Sequence, residues 1–265
     1  MAAKPTIVLI HGLWMTPKSW DTWAERFRAA GHDVVVPGWP GVGDRTPEDI
    51  RRDPSALKGI GIKDIVDHYE AIIRALPEKP IIMGHSFGGL FAQMLADRGL
   101  GSAVVGVTPG QPAGITTLPP STLRTGFPIL RNPFARNGAS PISKSHFHFT
   151  FGNDLTRAES DAIWESDAIN SVNRVFFEGV GAAFNEKNGA SHVDFAKPDR
   201  APLLIITGEI DHVVPPAIGE AIVKKYTGPS TVDYREFAGR THRIVSQQGW
   251  EEVADFALAW AVDHS

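Results

Sequence analysis

The feature that most constrains this chain is an alternation repeated along it, in which short β-branched apolar runs are each followed by a segment with apolar residues at helical spacing. Residues 6–10, 33–37, 80–83, 103–107 and 202–207 are such runs, and residues 231–237 read as a sixth. With little polar alternation, they predict strands covered on both faces, the pattern of a parallel sheet. Between them, residues 17–30 place Trp20, Trp23, Ala24 and Phe27 on one helical face closed by Gly31. Residues 63–76 do the same with Ile65, Val66, Tyr69, Ile72, Ile73 and Leu76, stopping before Pro77. Helices are also predicted over 87–99, 218–226 and 247–264. The expectation is an α/β fold, with a mostly parallel, roughly six-stranded sheet and helices on both faces.

The alternation breaks between Pro109 and Pro198. Proline, glycine, serine and threonine dominate residues 109–145, and helix-like segments follow over 155–184. This predicts a core made of residues 1–109 and 199–265, with residues 110–198 inserted as a lid. A chain of 265 residues is long enough for one such core.

Composition removes several kinds of chemistry. There is no cysteine, hence no disulfide framework, no cysteine-ligated zinc or iron–sulfur cluster, and no thiol nucleophile. A formal net charge of -4 gives no basic footprint for nucleic acid or an anionic membrane surface. No run approaches the roughly 18 to 20 apolar residues of a membrane span, and the N-terminal apolar run is too short for a signal peptide. A cytoplasmic protein acting on a small molecule, without nucleic-acid or membrane partners, is the expectation.

One motif sits where chemistry is done. Gly84-His85-Ser86-Phe87-Gly88 follows a predicted strand and opens a predicted helix. The bare pattern Gly-x-Ser-x-Gly arises by chance roughly 0.1 times in a chain of this length, so its strand-to-helix setting carries the weight. There the glycines let the strand leave and the helix enter closely, lifting Ser86 Oγ out of the sheet. A serine hydroxyl is a poor nucleophile unless an oriented base lies within reach. Asp211, just past the fifth strand in Gly208-Glu-Ile-Asp211, lies at the sheet edge where Ser86 emerges; Glu209 is an alternative acid. His242 follows the sixth strand in a glycine-containing loop and is the expected base.

Acyl transfer also needs donors for an oxyanion. The Phe87 amide, at a helix N-terminus, is one; the other is expected from the loop after the first strand, His11-Gly12-Leu13-Trp14, at Leu13 with Trp14 as fallback. Among the other histidines, His32, His68, His192 and His264 are assigned structural or solvated roles. His146 and His148, two apart, could face one side of a strand and present a metal, but no third ligand is evident, so no metal is expected.

These stretches together resemble the α/β-hydrolase superfamily: His11-Gly12, Gly-His-Ser-Phe-Gly-Gly at 84–89, Gly-x-x-Asp-x-x-x-Pro at 208–215, and His242. The resemblance covers the chain outside the lid. It implies an esterase, lipase, thioesterase or related enzyme working through an acyl-enzyme, with a Ser86–His242–Asp211 triad and no cofactor. The family often carries two further strands before the His-Gly strand, so a six-stranded sheet with one curtailed edge is expected here.

Serine at the elbow argues against haloalkane dehalogenation and epoxide hydrolysis, which need a carboxylate nucleophile. A carboxylic ester ranks first as substrate. Thioester, amide, lactone and carbon–carbon cleavage and perhydrolysis share the triad, and a ligand receptor of the same fold is the non-enzymatic alternative. An apolar pocket is expected from Trp14, Phe87 and the lid residues Phe127, Ile129, Leu130 and Phe134.

Overall fold

A computed structural model describes residues 4–265. The elements up to the end of the fourth strand are β1 (Ile7–Ile10), α1 (Asp21–Ala29), β2 (Val34–Val35), α2 (Pro47–Arg52), α3 (Ile62–Arg74), β3 (Ile81–His85), α4 (Phe87–Asp97) and β4 (Val104–Val107). Then come α5 (Pro120–Leu130), β5 (Ala139–Ser140), α6 (Lys144–Thr150), α7 (Arg157–Asp167), β6 (Ser171–Val172) and α8 (Asn173–Ala183). The chain closes with β7 (Leu203–Gly208), α9 (Pro216–Lys225), β8 (Val232–Phe237) and α10 (Trp250–Asp263). Six strands form one sheet in the order β2-β1-β3-β4-β7-β8, and every pairing in it is parallel. A short antiparallel pair, β5–β6, stands apart.

Side chains of a strand point alternately to its two faces, and in the central strands β1, β3, β4 and β7 both faces are buried. Val8, Ile10, Ile82, Val104 and Ile205 enter one apolar core, while Ile7, Leu9, Met83, Val105 and Ile206 enter the other. That two-sided burial is why the runs read as continuously apolar. Ile65 and Tyr69 of α3, Phe91 of α4 and Ile222 of α9 close the first core; Trp23 and Phe27 of α1 and Val253 and Ala257 of α10 close the second. Each fully buried side chain of this size stabilises the fold by about 2 kcal/mol relative to exposure.

Between β4 and β7 the chain leaves the sheet and builds α5 to α8. Residues 109–145 are less irregular than their composition suggests, since α5 and β5 both lie there. Proline at the first position of a helix costs nothing, because that N–H has no helical partner, and Pro120 opens α5 in this way. Short α2 was also not foreseen; it starts from a Thr46 cap whose side chain accepts from Asp49 N, with Pro47 following. His146 and His148 lie on helix α6 rather than a strand. Residues two apart on a helix point to nearly opposite sides, so the pair cannot share an ion. Among the described residues no group of three or more His, Cys, Asp or Glu could hold a metal, and no helix is long and apolar enough to cross a membrane.

Candidate active site

The sheet brings its functional residues to one edge. β1, β3 and β4 are neighbours, and the three non-glycine residues with positive φ among the described ones, Trp14, Ser86 and Thr108, each follow the C-terminal end of one of these strands. Such backbone is strained and persists only where the surroundings impose it. Ser86 has φ 57° and ψ -124°, the single residue over which β3 turns into α4. The glycines make that turn possible. A Cβ on Gly84 would lie 2.1 Å from the Gly88 carbonyl oxygen, and one on Gly88 would lie 2.1 Å from that of Ile10. Gly12 also presses close, its hypothetical Cβ falling 2.9 Å from Ser86 Cβ, so the loop after β1 lies directly against the serine.

Ser86, His242 and Asp211 are joined by hydrogen bonds and are all buried. His242 Nδ1 donates to Asp211 Oδ2 at 2.7 Å, and Nε2 lies 3.0 Å from Ser86 Oγ. With Nδ1 carrying the proton toward the carboxylate, Nε2 is left to accept from the serine hydroxyl. The other carboxylate oxygen, Oδ1, accepts from Val213 N at 2.7 Å and Val214 N at 2.9 Å, which fixes the acid. Glu209 is elsewhere, its carboxylate accepting from Gly239 N. Among the described residues, the amide N–H groups of Leu13 and Phe87 have no hydrogen-bond acceptor.

Two further histidines, His11 and His85, belong to the motifs named above without a role of their own there, and both shape this edge. His11 Nδ1 donates to Gly12 O at 2.9 Å, while Nε2 accepts from Trp39 N at 3.2 Å and the ring stacks on Trp39 at 5.0 Å. Burial pushes its pKa down to about 4, against the opposing effect of the Gly12 hydrogen bond. The neutral ring thereby holds the Gly12–Leu13 loop. His85 Nε2 donates to the His242 carbonyl at 2.8 Å, and burial holds its pKa well below the usual range, helped by the neighbouring His242 ring. Phe151 covers His242, with ring centroids 5.2 Å apart. Only tertiary structure brings these groups together, so no local pattern announces them. His32, His68, His192 and His264 each donate to a backbone carbonyl, in keeping with structural roles.

Beside Ser86 lies a cavity of about 90 Å³ lined by Phe87, Leu90, Phe176, Val180, Val213 and Ile218 together with Gln111, Thr122 and Thr125. Phe87 is placed there as expected; the other anticipated contacts are not. Buried Thr125, Gly126 and Ile129 form the inner face of α5, which turns Phe127 outward to 62% exposure. Leu130 packs on the core beside Gly126, and Phe134 is 98% exposed. Trp14 and Ile129 line a separate groove of about 400 Å³ with Arg131 and Asn132. Trp14 does not line the Ser86 cavity but packs near its wall residue Phe176, 6.2 Å away between rings. Thr122, Thr125 and Phe176 were missed because spacing could not show which face of an inserted helix turns inward, and Leu118 because it lies in the loop before α5.

The inserted segment also grips the loops that carry Asp211 and His242. Asn153 Nδ2 donates to Ile210 O at 2.9 Å, His212 Nδ1 to Phe149 O at 2.9 Å, and Arg243 Nη2 to Asp154 Oδ2 at 3.1 Å. The neighbours of Asp211 and His242 are thus tied to the single stretch 149–154.

Fold and site define a protein that presents a histidine-coupled serine at the C-terminal edge of a parallel α/β sheet. The sequence matches the profile of the alpha/beta hydrolase family over residues 7–256, and the chain belongs to that family. No curated protein matches it by sequence. Solved structures do. A monoacylglycerol lipase from Paleococcus ferrophilus has a TM-score of 0.68 at 21% identity, covering 99% of this chain and 97% of its own. A thermophilic esterase from Thermogutta terrifontis gives 0.69 at 17% identity, covering 99% and 92%. An extracellular α/β-hydrolase from a Paenibacillus species gives 0.69 at 18% identity, covering 97% and 98%. At these identities the likeness is one of fold.

Proposed function

We propose that this chain is a serine hydrolase that cleaves a carboxylic ester of a small, largely apolar substrate through an acyl-enzyme. The observation that carries the reading is the hydrogen-bonded sequence Ser86 Oγ, His242 Nε2, His242 Nδ1, Asp211 Oδ2 at the mouth of an apolar cavity. Ser86 Oγ attacks the ester carbonyl while His242 takes its proton, and Asp211 holds the imidazole tautomer and stabilises the imidazolium. The Leu13 and Phe87 amides receive the oxyanion, the second aided by the N-terminal dipole of α4. His242 then protonates the leaving alcohol, and water attacks the acyl-enzyme with His242 again as base. No step calls for a metal or cofactor.

Residues 110–198 serve in this reading as a lid over a core formed by 1–109 and 199–265, with α5 and α8 walling the cavity. A small cavity suits a short acyl or alcohol part. The ester preference leans on relatives named as a lipase and an esterase, whose sheets superpose on this one. Turnover of p-nitrophenyl esters of increasing acyl length tests the reading. The expected result is an optimum at short chains and a loss of at least about a thousandfold in kcat for Ser86→Ala. Equal turnover by that variant would overturn it.

A further inference from the structure

The cavity beside Ser86 is apolar along Phe87, Leu90, Phe176 and Val180, yet two polar groups among its lining residues are buried without a partner. Thr125 is 1% exposed, and its Oγ1 meets no donor or acceptor among the described residues. A threonine inside a helix ordinarily donates to the carbonyl one turn back. Thr150 of α6 does so, to His146 O at 2.9 Å. Thr122, three residues earlier on the same face of α5, finds a different acceptor in Val213 O at 2.9 Å. Thr125 does neither. Gln111 is the second case. Its Nε2 donates to Ile115 O at 2.9 Å, and because a carbonyl can only accept, this bond fixes which end of the amide is nitrogen. Oε1 is left buried with no donor.

Leaving a buried hydroxyl and a buried amide oxygen unpaired costs stability, and an apolar cavity would be built more cheaply from valine and leucine. Groups that destabilise the free protein are retained where a ligand uses them. We propose that Thr125 and Gln111 are specificity residues, and that the substrate carries a hydroxyl on the otherwise apolar part held in this cavity. The inference rests on the serine-hydrolase reading above. Gln111 Oε1 can only accept, so the ligand must offer a donor there. Thr125 can complement either a donor or a lone pair. A hydroxyl is the smallest uncharged substituent that offers both a donor and a lone pair, and it fits a cavity of about 90 Å³. The substrate class is therefore a short hydroxyl-bearing ester rather than a plain alkyl ester.

The test uses isosteric pairs that exchange hydroxyl for methyl. On the acyl side these are p-nitrophenyl 3-hydroxybutanoate and 3-methylbutanoate; on the alcohol side, 2-hydroxypropyl and 2-methylpropyl butanoate followed by proton release. Wild type is expected to favour the hydroxylated member of at least one pair by about tenfold in kcat/KM. Thr125→Val should bring that ratio close to one, and Thr125→Ser should largely keep it. In the ligand-free protein Thr125→Val should also raise Tm by about 2 °C, since a methyl replaces an unpartnered hydroxyl of the same shape. Labelling of Ser86 by a fluorophosphonate with no preference in either pair, or a preference unmoved by Thr125→Val, would overturn the proposal alone. A lowered Tm for that variant would do so too, by revealing a structural partner. Absence of both labelling and turnover would instead sink the hydrolase reading, and this proposal with it.

Discussion

Ser86 occupies backbone that an L-residue avoids, and it does so because three glycines leave no room for any other path. Gly84→Ala would drive a methyl into the Gly88 carbonyl, backbone against backbone, where no side-chain rotation gives relief. The expected cost is more than about 3 kcal/mol in urea unfolding, well beyond an ordinary surface change. Gly181 is the contrasting case: it is exposed in α8, and a Cβ there would meet nothing within 4 Å. Gly181→Ala should stabilise by about 0.5–1 kcal/mol through helix propensity alone. If both variants unfolded alike, the elbow would not be under the constraint described. Ser86, Asp211 and His242 were legible in the sequence because each follows a recognisable strand and the chemistry demands those side-chain types. His11, His85 and Phe151 were not, since their roles depend on contacts such as His85 with the His242 carbonyl, 157 residues away in sequence.

At the scale of elements, the four central strands were readable from two-sided burial, the edge strands β2 and β8 from their β-branched and aromatic residues, and the following helices from helical period. The inserted segment was readable only as a break in that rhythm. α5 hid behind Pro119, Pro120, Gly126 and Pro128, although its inner face of Thr122, Thr125, Gly126 and Ile129 follows helical spacing once the helix is known. The 149–154 stretch had no sequence signal at all, yet it ties the inserted segment to the loops of Asp211 and His242. Its ion pair is nearly buried, with side-chain exposures of 9% for Arg243 and 18% for Asp154. Removing one charge would leave the other poorly solvated, so Asp154→Asn should destabilise by about 2 kcal/mol and lower kcat more than it raises KM. A variant with unchanged stability and kinetics would show that the clamp does not hold the acid and base loops.

For the whole molecule, the pH range of stability follows from its buried neutral histidines. His11 is held at about 4 in the folded protein by burial, whereas in the unfolded chain it protonates near its ordinary 6.5. Between those values the unfolded state binds the additional proton. The stability this site contributes is therefore complete above pH 6.5 and lost as pH falls toward 4, by about 3 kcal/mol. His85, lowered further by burial and the adjacent His242, acts in the same direction. Urea unfolding followed from pH 7 to pH 4 should show this decline; a flat profile would mean that His11 protonates within the fold. The α/β class and the parallel sheet were visible from the sequence because they rest on pattern alone, whereas the cavity is assembled by long-range packing. The measurement that bears most directly on the central claim is peptide mapping after reaction with a fluorophosphonate, read beside p-nitrophenyl ester turnover on the same sample. The account predicts a single adduct on Ser86, turnover lost in proportion to labelling, and neither signal in Ser86→Ala. An adduct on another residue, or full turnover with Ser86 blocked, would contradict it.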